Sequence, residues 1–252
     1  MRESDWASST EPQKMLDFLR AGGRASDRKL RLFAVVCCRH TWSLVEDDRK
    51  RMVANGRNRG EVEFARREAV LAWRAAEVAE RYADGLTDLA ELRALIAADD
   101  EMEGCYADGS DAAWTAKASA YRARICAKYK SPRKFGLAAR LLNPLVGPWF
   151  GVSSKLDHDR EQSAQGHLLR DIFGPLPFRP IIVDPTWLSW HDGLLVSMAR
   201  RMYDSRDFSD MPVLADALEE AGYTNPDILE HCRSEGEHVR GCWLLDLLMG
   251  KS

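Results

Sequence analysis

The sequence lacks most of the signatures by which a chain declares its chemistry. It contains no glycine-rich phosphate loop, no G-x-S-x-G elbow and no H-E-x-x-H pair, which lowers the catalytic reading without excluding it. Net charge is also missing: 36 Lys and Arg stand against 39 Asp and Glu, for a total of -3. Bulk electrostatics therefore favours neither a nucleic-acid binder nor a membrane-surface protein, and a charged partner must be met by a local patch. No long apolar run is present. The longest weakly charged stretch, Phe135 to Val152, carries Arg140, Pro144, Pro148 and three glycines, whereas a spanning helix needs about 20 mostly apolar residues. The start, Met1 to Trp6, is polar and acidic and lacks the layout of a secretory signal, so the expected location is the cytoplasm. Six cysteines in 252 residues, in a compartment expected to be reducing, argue against a disulfide framework and leave thiols or metal ligands. Neither an internal repeat nor enough strand signal for an α/β fold is evident.

What is present is helix punctuation. Thr10-Glu11-Pro12-Gln13 predicts a helix start, with a short helix to Arg20 stopped by Gly22 and Gly23. Ser26-Asp27 caps a second helix expected to reach Val45, apolar on several faces and therefore central to a core. From Glu61 to Tyr82 an apolar face runs beside a narrow alanine face that permits close packing. Thr87 is expected to cap a helix over Asp88 to Ala98, and Ser110 another bearing Trp114, Tyr121 and Tyr129. Pro132, Pro144, Gly147, Pro148 and Gly151 break the segment that follows into a long loop or hairpin excursion. Helix resumes near Arg160 to Phe173, Ile181-Ile182-Val183 reads as a short strand, and three or four helices close the chain, with starts at Pro212 and Asn225-Pro226 and stops at Gly222 and Gly250. The expected fold is mainly α: a multi-helix globular array with a Pro/Gly-rich central excursion and at most one short strand pair. Its divisions are 1–130, 131–157 and 158–252, packed as one globular unit.

Two stretches, Asp27-Arg28-Lys29-Leu30-Arg31-Leu32-Phe33-Ala34 with Cys37-Cys38-Arg39, and His238-Val239-Arg240-Gly241-Cys242-Trp243 with Asp246-Leu247-Leu248, resemble an uncharacterised protein family abundant in planctomycete genomes. The likeness extends to Arg170-Asp171-Ile172-Phe173-Gly174, Asp184-Pro185, Trp187-Leu188, Leu214 to Leu218 and His231-Cys232-Arg233, so it covers roughly residues 10–55 and 165–250. It implies a bacterial, cytoplasmic origin and no activity. The basic segment Lys128 to Lys155 departs from it.

Three constellations carry candidate chemistry. The first is H-C-x5-H-x3-C at His231, Cys232, His238 and Cys242, the imidazole and thiolate ligands that zinc favours. If the last helix begins near His238, then His238 and Cys242 share one face. Adjacent His231 and Cys232 rarely bind one ion together, so a further donor such as Cys37, Cys38 or His40 has to come from afar. The plainer alternative makes the cysteines buried small hydrophobes and the histidines capping groups. A third reading activates one cysteine as a nucleophile through a nearby imidazole.

The second constellation is charge segregation: nine acids and one base lie between Asp84 and Asp111, then nine bases and no acid between Ala112 and Leu156. Lys117, Arg122, Arg124, Lys128, Lys130, Arg133, Lys134 and Arg140, interleaved with aromatic residues, can grip phosphates and stack bases, or the two blocks can fold against each other. The third is the Trp187, Trp190 and His191 group, which can line a pocket or simply pack. The leading functional expectation is a non-enzymatic helical module that binds another protein. Alternatives are a nucleic-acid accessory protein using residues 117–155 and a metal- or thiol-dependent enzyme centred on His231 to Cys242. No cofactor is expected apart from a zinc ion at that cluster.

Overall fold

A computed structural model of the chain describes residues 1–40, scattered positions from 54 to 91, and 155–251 apart from 183. The described residues are mainly helical and include no strand, so Ile181 and Ile182 are irregular chain and not strand. The chain divides into two compact units: one combines Met1–Ser9 with Ala164–Ser252, the other spans Thr10–Ser163.

In the second of these units, α2 (Pro12–Ala21) and α3 (Asp27–His40) form where the caps predicted them. Ser26 Oγ accepts the Lys29 N–H at 3.2 Å, satisfying an orphan donor of the first turn. Every residue from Lys29 to Cys37 is buried, as expected of a helix apolar on several faces. Val35 packs with Ala76, Val78 and Ala79 of the helical residues near 73–83, where alanines let the backbones approach. The charges interleaved among these apolar positions are paired: Arg28 with Asp84 at 3.0 Å, Arg39 with Glu80 at 2.9 Å, and Arg31 stacked over the Tyr82 ring. Breaking such a buried pair typically costs about 3–5 kcal/mol. Further along, Asp88, rather than Thr87, accepts the N–H groups of Ala90 and Glu91, because its carboxylate is the stronger acceptor.

The other unit opens with α1 (Glu3–Ser8) and resumes within α4 (Lys155–Phe173). Then come α5 (Pro185–Ser189), a 3₁₀ turn (Trp190–Gly193), α6 (Leu194–Ser205), α7 (Met211–Glu220), α8 (Pro226–Arg233) and α9 (Trp243–Met249). Asp184 and Asn225 cap α5 and α8 through bonds to Thr186 N and Asp227 N, each followed by proline in the first turn. Left-handed Gly222 and Gly250 follow α7 and α9 as the punctuation required. Leu195, Ala199 and Met202 repeat at helical spacing and bury one face of α6, which packs on α9, while α7 packs on α8 through Leu214 and Leu218. Trp243, 1% exposed, is the largest side chain in this core.

Candidate metal centre

The centre is built where three helix ends meet a loop. Asp171 sits in the last turn of α4 among buried Leu168, Leu169, Ile172 and Phe173, His231 in the last turn of α8, and Cys242 at the N-cap of α9. His238 lies in the connecting loop. The expected helical face shared by His238 and Cys242 therefore does not exist: Gly241 adopts φ 91° and Cys242 has a non-helical backbone (φ -44°, ψ 125°), so α9 begins only at Trp243. A turn closed by Cys242 N–H to Val239 O at 2.9 Å brings the two side chains round instead.

Asp171, His231, His238 and Cys242 each offer one ligand atom, and these atoms all lie within 4.8 Å of one another. His238 Nδ1 is 2.7 Å from Asp171 Oδ1, while Asp171 Oδ2 accepts the Val239 N–H at 2.9 Å. His231 Nε2 is 3.1 Å from Cys242 Sγ and 3.5 Å from Asp171 Oδ1. The His231 ring rests 5.1 Å from Trp243 and 4.9 Å from His238. Burial drives the His231 pKa down to about 4, with Asp171 opposing and His238 reinforcing the shift, so its imidazole is neutral at ordinary pH, the form that ligates a metal.

Four donors around a tetrahedral zinc, at about 2.0–2.3 Å from it, stand roughly 3.3–3.8 Å apart; here the separations run from 2.7 Å to within 4.8 Å, so a bound ion draws some of the donors together and parts others. A relay triad is a poorer description. In a Cys-His-acid relay the thiol and the acid hold opposite ring nitrogens, but here Cys242 and Asp171 converge on the same nitrogen of His231. His238 faces the carboxylate through Nδ1; its side chain is 7% exposed, and its Nε2 has no hydrogen-bond partner among the described residues. A buried imidazole normally has both nitrogens satisfied.

Three of the four residues singled out in the sequence thus come together. Cys232 does not join them: it is fully buried in the apolar core, and burial pushes its thiol up to about 12, which keeps it protonated. The further donor is Asp171, which the search for cysteine and histidine passed over. Its sequence signal was a single acidic residue within the apolar run Leu168-Leu169-Arg170-Asp171-Ile172-Phe173. Cys37 is buried in α3 of the other unit, and the side chains of Cys38 and His40 lie outside the described residues.

The candidate nucleic-acid residues Lys117, Arg122, Arg124, Lys128, Lys130, Arg133, Lys134 and Arg140 all lie outside the described residues, as does most of the acidic block. Of that block, Asp84 pairs with Arg28 and Glu91 with Arg81. Trp187 sits edge-on to Tyr223 and packs with Trp190 against the core, while His191 is exposed beside Trp190. Packing is what these aromatics do. Among the described residues no helix is long and apolar enough to cross a membrane.

Comparison with known proteins finds no matching family model, no matching curated protein and no matching solved structure. The reading of the centre rests on its chemistry.

Proposed function

We propose that the chain is a zinc-binding helical module in which Asp171, His231, His238 and Cys242 hold one structural ion. The observation that carries this is the convergence of a carboxylate oxygen, two imidazole nitrogens and a thiol sulfur within 4.8 Å inside a core. Oxygen, nitrogen and sulfur donors together suit zinc and disfavour magnesium and calcium, which take oxygen ligands. Four protein donors fill a tetrahedral shell and leave no position for substrate, which is the pattern of structural sites. The ion fastens the ends of α4 and α8 and the start of α9, a region where the protein has loop instead of continuous helix. In this reading the working part is the helical surface so fixed, and its task is to bind another protein.

Cobalt substitution tests it. Co²⁺ added to chelator-treated protein is expected to produce a thiolate-to-metal charge-transfer band that Cys242→Ser abolishes and Cys232→Ala preserves. Absence of that band in the parent protein would refute the reading.

A further inference from the structure

We propose that the same centre governs the docking of the N-terminal segment Met1–Ser9, so that loss of the ion releases a strap that the ion holds closed. The inference rests on the zinc reading above and adds a regulated element to it.

The segment is fastened at two points, one directly on α4 and one through the loop residue Arg179 to α8, and each of these helices carries a ligand. At its C-terminal end, Arg170 Nη1 donates to Ser9 O at 2.8 Å and to Trp6 O at 3.3 Å. These are carbonyls at the end of α1, where a cation is favoured by both hydrogen bonding and the helix dipole. Arg170 is the immediate neighbour of Asp171 in the last turn of α4. At its N-terminal end, Glu3 accepts from Arg179 Nε at 2.9 Å, and Arg179 Nη2 donates to Asp227 Oδ1 at 2.9 Å. Asp227 precedes His231 by four residues and so stands on the same face of α8. Between the two anchors, Trp6 is 3% exposed and meets the Phe178 ring edge-on at 6.0 Å. Gly166 supplies the room: a Cβ there would stand 3.0 Å from Ser9 O.

Without the ion, the centre is a buried carboxylate, two imidazoles and a thiol held by their mutual hydrogen bonds, the Val239 N–H and the Trp243 ring. The ends of α4 and α8 are then tied less firmly to each other, and the seat of a strap spanning both loosens. α1 has six residues, too few to persist as a free helix. Coupling of this kind is reciprocal: whatever factor the ion contributes to docking, docking contributes to ion affinity.

The test is backbone hydrogen–deuterium exchange of Met1–Ser9 in the full chain, zinc-loaded and chelated. The expected result is at least about tenfold faster exchange of the Trp6 and Ser9 amides after chelation, within the usual coupling range of about 5–150-fold. Trp6→Ala is expected to lower zinc affinity, measured by competition with a chromophoric chelator, by a comparable factor. Arg170→Met serves the same purpose if Trp6→Ala does not fold, since it removes the anchor without touching a ligand. Zinc uptake with unchanged exchange and unchanged affinity in these variants overturns the strap alone. Failure of the parent chain to take up zinc overturns the metal reading and the strap together.

Discussion

His238 Nδ1 lies 2.7 Å from Asp171 Oδ1, although the two residues are 67 positions apart. The carboxylate is fixed from its other oxygen by the Val239 N–H, so Asp171 orients the loop that bears His238 as well as supplying a donor atom. Asp171→Asn keeps the shape and removes the charge. It is expected to weaken zinc binding more than about tenfold, since loss even of a residue that only orients a ligand commonly costs 10- to 100-fold. Competition against a calibrated chelator measures this.

The two cysteines of the C-terminal cluster are expected to part company. Cys242→Ser removes the sole thiolate donor and is predicted to abolish tight binding. Cys232→Ala leaves zinc stoichiometry unchanged and lowers thermal stability, because it opens a small void in a core where Cys232 is fully buried. Metal content and melting temperature of the two variants, read side by side, separate ligand from packing residue.

Gly174 closes α4 at φ +52°, and a Cβ at that position would stand 2.5 Å from the Trp243 ring. Trp243 in turn lies against His231. Gly174→Ala therefore combines backbone strain with overpacking beneath the centre, and a loss of about 1–3 kcal/mol is expected. Chemical denaturation followed through tryptophan fluorescence provides the measurement.

Acid should destabilise the chelated protein through His231. Its pKa is about 4 when folded against 6.5 for the ordinary group, so between those values the unfolded chain binds a proton that the folded one refuses. Stability is retained above pH 6.5 and lost as pH falls toward 4. A drop of about 2 kcal/mol from pH 7 to pH 5 is expected from this group, and His231→Gln should flatten the profile by that amount. Urea midpoints at the two pH values give the comparison.

Much of the fold was legible because local chemistry settles it. Pro226 after Asn225, Gly222, Gly250 and the Ser26 cap are short-range signals, and each marks a helix end found in the structure. The helix expected to carry both His238 and Cys242 was misread because Gly241 takes a left-handed conformation that composition does not reveal. The reading of Ile181 to Val183 as a short strand failed at Ile181 and Ile182 for a different reason. Ile181 docks into the core and Ile182 is 81% exposed, but the described residues contain no strand to pair with them, and a strand needs a partner.

The centre was half legible. His231, His238 and Cys242 stand within twelve residues and carry a recognisable ligand chemistry. Asp171 is remote in sequence, and carboxylates are too common for one to attract notice. Only the packing of α4 against the loop joins it to the others. The plainer reading of Cys232 as a buried small hydrophobe agrees with its place in the core and its raised pKa.

The central claim is tested most directly by the metal content of the untagged chain purified without added metal or chelator, determined by elemental analysis alongside Asp171→Ala and Cys242→Ser. The account predicts close to one zinc per parent chain and little in either variant. Zinc well below one equivalent in the parent, or equal zinc in all three proteins, would contradict it.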